Sequence, residues 1–137
     1  MWWTYALLSA LFAALTAVFA KVGLKGMNAD LATAIRTVII LILAWGIVFY
    51  KGEYKGGHLL SKQNILFLVL SGLATGLSWI FYFKALSLGK VSQVAPVDKL
   101  SVALAIILSI LFLGEAADWK MLLGAGLIIT GTLVLIF

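Results

Sequence analysis

The sequence predicts an all-α integral membrane protein with about five transmembrane helices. Three observations carry this. Long apolar runs recur along the 137 residues with almost no charge inside them. Only 11% of residues are charged and 64% are hydrophobic; soluble domains hold about 25% charged residues and need a polar surface to stay dispersed. The charges that do occur gather in short segments between the runs, where Lys and Arg meet lipid headgroups.

The first helix is predicted over about residues 2–22, because Trp2 to Ala20 carries no charge. No Lys or Arg precedes it, and it is longer than the apolar core of a secretory signal, so it reads as a span rather than a cleaved leader. The second, about 31–50, contains one charge, Arg36. The third, about 63–85, is uncharged from Gln63 to Phe83. The fourth, about 91–113, is interrupted only by Asp98 and Lys99. The fifth, about 119–137, is the shortest, with Trp119 and Lys120 to anchor its start. Each run approaches the ~20 residues that cross a hydrocarbon core. Continuous apolarity excludes barrel strands, which alternate over about ten residues.

The links are "KGMNAD", "KGEYKGGHLLSK", "LSLGK" and "GEAADWK". They are short and all four carry a Gly, which makes consecutive helices antiparallel neighbours in one domain, residues 1–137. Gly114 is expected to end the fourth helix and Asp118 to cap the fifth. The chain has no Cys, so disulfides and thiolate metal sites are excluded. His58 is the one histidine and falls in a polar link, so it is expected to be solvated, and no metal or cofactor is expected. No Ser-His-Asp set or phosphate loop suggests an enzyme. The net charge of +5 flanks the apolar runs and forms no basic stripe with exposed aromatics, which argues against nucleic acid.

Small and polar residues give the helices distinguishable faces. Gly72 and Gly76 form a GxxxG, and Gly124 and Gly131 lie seven apart on the fifth helix; small residues let helices approach closely. Ser71, Thr75, Ser78, Trp79 and Tyr82 make a polar and aromatic stripe on the third. On the fourth, Ala95, Asp98, Ser101, Ala105 and Ser109 recur at steps of three and four, so they share a face.

Pro96 cannot donate to the Ser92 carbonyl. Two readings follow: backbone opened to a cavity, as in interrupted transporter helices, or a mild kink near a helix start. Asp98 and Lys99 are neighbours in sequence, about 100° apart on a regular helix, so partners are expected from other helices, Arg36 or Lys84. Asp98 is then either part of a structural ion pair with Arg36, Lys84 or Lys99, or a cavity-lining carboxylate that binds substrate or a proton. Lys84 is expected to snorkel to the interface.

Orientation follows the loop cations. Lys51, Lys55, Lys62 and Lys120 fall on one side and Lys21, Lys25, Lys84 and Lys90 on the other. Adding Arg36 and Lys99 gives only four against six. So weak a bias permits insertion both ways up, which would allow an antiparallel homodimer; the alternative is one orientation fixed by other features.

The run "YFKALSLGKVSQVAPVDKLSVALAIILSILFLGE", residues 82–115, is similar to the second part of an EamA domain. "NADLATAIRTVIILIL" resembles that domain's second helix, with Arg36 at the usual arginine, and "WKMLLGAGLIITGTLVL" resembles its last. The resemblance spans essentially the whole chain and points to the drug/metabolite transporter superfamily. It implies ten-helix transporters of small metabolites, amino acids or drugs, built from two inverted EamA repeats around a central cavity. The 137 residues hold one such inverted-repeat unit. Unlike small multidrug-resistance efflux proteins, the first helix has no acid, which argues against their cation/proton exchange. Glu115, in the "LGE" match, sits at a helix end and reads as structural.

The expectation is a multi-pass transporter in the plasma or inner membrane. It would move a small polar or amphipathic metabolite by alternating access, as an antiparallel homodimer or beside an oppositely oriented paralogue. Trp79, Tyr82, Asp98, Lys99, Ser101 and Arg36 would meet the substrate. The alternative is a non-transporting accessory membrane subunit.

Overall fold

The computed structural model describes every residue except Leu60, and every side chain except those of Gly57, His58, Leu59 and Leu60. The expectation for the His58 side chain therefore lies outside the described residues. Helices α1 (Trp2–Gly23), α2 (Ala29–Lys51), α3 (Lys62–Leu88), α4 (Val91–Asp98), α5 (Leu100–Leu113) and α6 (Trp119–Ile136) follow one another, with a 3-10 segment over Glu53–Leu59. There is no strand among the described residues.

Five segments are long and apolar enough to cross a membrane: α1, α2, α3, the run Val91–Leu113 and α6. At 1.5 Å per residue, α2 with its 23 residues is about 34 Å long and spans a ~30 Å core. α6, with 18 residues, is about 27 Å and needs its Trp119 and Lys120 at the interface. Large apolar side chains stand open all along these helices; Leu70 is 50% exposed and Ile42 67%. Water would not tolerate so much contiguous apolar surface, whereas lipid chains solvate it.

Helix ends have local causes. The Asn28 side chain accepts the Asp30 N–H at 2.8 Å, satisfying a first-turn donor, and Asp30 complements the positive end of α2. Asp118 caps α6 in the same way through the Lys120 N–H at 3.4 Å. Gly114 ends α5 with φ +67°, a conformation that glycine adopts without a Cβ clash. Its N–H and that of Glu115 both reach the Ser109 carbonyl. The "LGE" motif is thus a helix stop.

The chain divides into two units, Met1–Val18 with Leu88–Phe137, and Phe19–Ser87. In the first, α4 and α5 both pack on α6, antiparallel to it. The Thr132 hydroxyl, near the end of α6, donates to the Pro96 carbonyl at 3.2 Å. Small buried residues, Ala103 on α5 and Ala125 on α6, sit in this unit. In the second, the start of α2 meets the end of α3 through the side chains of Arg36, Trp79 and Phe83. Phe83 and Leu86 are almost fully buried, and the Lys21 ammonium, at the end of α1, donates to the Leu86 carbonyl at 2.5 Å. A cation at a helix C-terminus satisfies a carbonyl left over by the helix and favours its negative end.

The run 91–113, expected as one span with a break or kink at Pro96, carries its irregularity at Lys99. The Lys99 N–H is shared between the carbonyls of Ala95 (3.3 Å) and Pro96 (3.0 Å), and Val102 N–H returns to the Lys99 carbonyl at 3.0 Å. These three-residue closures tighten the chain into a 3-10-like turn, three residues after the proline that removes one helical donor.

Candidate functional site

Two sets of polar groups lie inside the spans, one in each unit. The first centres on Arg36. α2 places it two turns inside its start, on a face with Thr33 and Thr37. Both threonine hydroxyls donate back to carbonyls one turn earlier, Ala29 and Thr33, at 2.9 and 2.8 Å, which satisfies them without water. The Arg36 guanidinium carbon lies 4.4 Å from the Trp79 ring centroid and 5.1 Å from that of Phe83. Trp79 and Phe83 are one turn apart on α3 and so present one aromatic face.

The energetics explain the contact. A cation in a span costs about 2.5–3.5 kcal/mol at the membrane centre. A desolvated guanidinium over an aromatic ring recovers about 2 kcal/mol. Among the described residues of this unit no carboxylate pairs with Arg36 and none of its N–H groups finds an acceptor. The Tyr82 ring meets that of Phe83 edge-on, centroids 6.4 Å apart. Thus Arg36 and Trp79 come together, and Tyr82 stands half-buried next to Phe83. Phe83 was not singled out from sequence; its signal was the four-residue step from Trp79. Lys84 is exposed.

The second set is Pro96, Asp98, Lys99 and Ser101. Asp98 Oδ2 lies 3.5 Å from Lys99 Nζ. Of the three partners considered for Asp98, it is Lys99 that the side chain meets, although neighbours on a regular helix pair poorly. The 100° separation holds for a regular helix, but the tight turn at Lys99 and the long lysine stem bring the groups together. The pair is open, with side-chain exposures of 56% for Lys99 and 34% for Asp98, and Ser101 beside it is exposed. Such a pair contributes little to stability.

The glycine motifs are open within their own units. No atom comes within 4 Å of a Cβ built at Gly72, Gly76, Gly124 or Gly131. The far end of α2 is marked by aromatics instead: Trp45 and Phe49 stack at 5.5 Å, Phe49 and Tyr54 at 5.6 Å, and Lys51 faces Glu53 at 4.0 Å. Aromatic and charged residues together suit the headgroup region.

Five membrane-length apolar helices, ended by cations and aromatics and carrying charge within two of the spans, define a multi-pass membrane protein. The chain belongs to the EamA-like transporter family, which it matches over residues 1–137. It is 51% identical over 134 residues to a protein of Sinorhizobium sp described as "Uncharacterized transporter in cobO 3'region", an alignment covering 98% of this chain and 95% of that one. No solved structure matches it. The protein is a membrane transporter of this family.

Proposed function

We propose that the chain moves a small polar or amphipathic metabolite across the cell membrane by alternating access, as a pair of copies in opposite orientations. The observation that carries the pairing is the even division of cations among the links, four on each side of the five spans. That balance leaves only a weak bias toward either orientation. Two copies in opposite orientations would reproduce the inverted repeats on which alternating access is built. Each unit offers the solute its own polar set: Arg36 with Trp79 and Tyr82 in one, and Asp98, Lys99 and Ser101 in the other.

The test is reconstitution. The purified chain alone, in proteoliposomes, is expected to give saturable uptake of at least one class from a panel of amino acids, dicarboxylates, sugar phosphates and organic amines. Folded protein that transports none of them until a second membrane protein is added would contradict the proposal and support an accessory subunit.

A further inference from the structure

We propose that Arg36, held against Trp79 and Phe83, is an oxyanion-binding subsite, so that the solute carried presents a carboxylate or a phosphate. This rests on the transporter reading and names the chemistry of its substrate. Three observations support it. The guanidinium is fixed by two rings, 4.4 and 5.1 Å from their centroids, yet among the described residues of its unit it has no carboxylate partner and no acceptor. Its N–H donors are left over, and the planar fork of a guanidinium matches a carboxylate or phosphate edge.

The surroundings carry the same sign. The Lys21–Leu86 bond and the Arg36–Trp79 contact place the end of α1, the start of α2 and the end of α3 at one end of this unit. That end holds Lys21, Lys25, Arg36 and Lys84 against one carboxylate, Asp30. A local excess of one sign attracts the opposite ion and raises its concentration at the mouth of a site.

There is also room. The α3 face that carries Phe83 and Trp79 continues, at steps of three and four, through Gly76 and Gly72. Those positions have no side chain, and no atom of the unit lies within 4 Å of a Cβ built there. A ligand oxyanion on Arg36 therefore meets an open strip of α3 without side chains beside it.

The test uses full-length protein in a neutral detergent, with Trp2, Trp3, Trp45 and Trp119 replaced by Phe so that Trp79 is the one reporter. Inorganic phosphate and succinate are titrated. The expected result is a saturable change in Trp79 emission, weakened at least about ten-fold in Arg36→Lys, which keeps the charge but not the planar fork, and lost in Arg36→Gln. No saturable response from the Arg36 protein overturns the proposal whatever the variants do. A response to phosphatidylglycerol nanodiscs but to neither soluble anion also overturns it, because the oxyanion is then a lipid headgroup. The uptake assay separates this failure from that of the transporter reading. Transport of neutral or cationic solutes that survives Arg36→Gln sinks the subsite and keeps the transporter. Arg36-dependent anion binding without transport of any solute keeps the subsite and sinks the transporter.

Discussion

Asp98→Asn is expected to leave the protein folded and to lower transport by about thirty-fold or more. The fold should tolerate the change because Asp98 pairs with its neighbour Lys99 at 3.5 Å, and both side chains are substantially exposed. An exposed pair contributes about 0–1 kcal/mol, and Asn keeps the shape and one acceptor. Transport should not tolerate it, because a carboxylate inside a span is a solute or proton site by physical default. Losing one side of a functional charge contact costs about 2–5 kcal/mol, at about 1.4 kcal/mol per factor of ten. Uptake in proteoliposomes and thermal unfolding of the same preparation are read side by side. Lost stability with unchanged uptake per folded molecule would assign Asp98 a structural role.

Pro96→Ala is expected to stabilise the protein and slow its turnover. Proline disfavours a helix interior by about 3 kcal/mol relative to alanine, and Pro96 lies within α4, leaving the Ser92 carbonyl without its helical donor. Alanine restores that bond and retains the carbonyl that accepts from Thr132. A gain of about 1–3 kcal/mol would raise the midpoint of thermal unfolding by several degrees. Turnover falls if the turn at Lys99 is where the fourth span bends during the cycle. An Ala variant that is less stable would show that the proline is required by the turn itself, and the gain argued from Ser92 would be wrong.

The spans were legible because the bilayer imposes a one-dimensional signal: uncharged length. Trp2–Ala20 and Gln63–Phe83 needed nothing else, and Gly114 and Asp118 marked helix ends through backbone chemistry that depends only on local sequence. Which faces meet was much less legible. Large apolar residues sit on every face of α3 outside its one polar stripe, so no periodic contrast tells Phe83, buried at 3%, from Phe81, exposed at 68%. The Arg36–Trp79 contact was approached through residue type, but its second ring was not. The Lys21–Leu86 bond joins residues 65 apart, a pairing that no local pattern encodes. The closeness of Asp98 and Lys99 is hard to read for a related reason: the 100° step of a regular helix does not hold where the backbone tightens.

The proposed transport unit requires copies of opposite orientation to coexist in one membrane. The chain has no cysteine, so one introduced at Gly56, in the exposed segment after α2, is a unique label site. Intact cells are treated with a membrane-impermeant maleimide, and a second sample is treated after permeabilisation. About half of the protein is expected to label from outside and the remainder only after permeabilisation. Labelling that is complete from outside, or absent until the membrane is opened, would show one orientation and contradict the antiparallel pair.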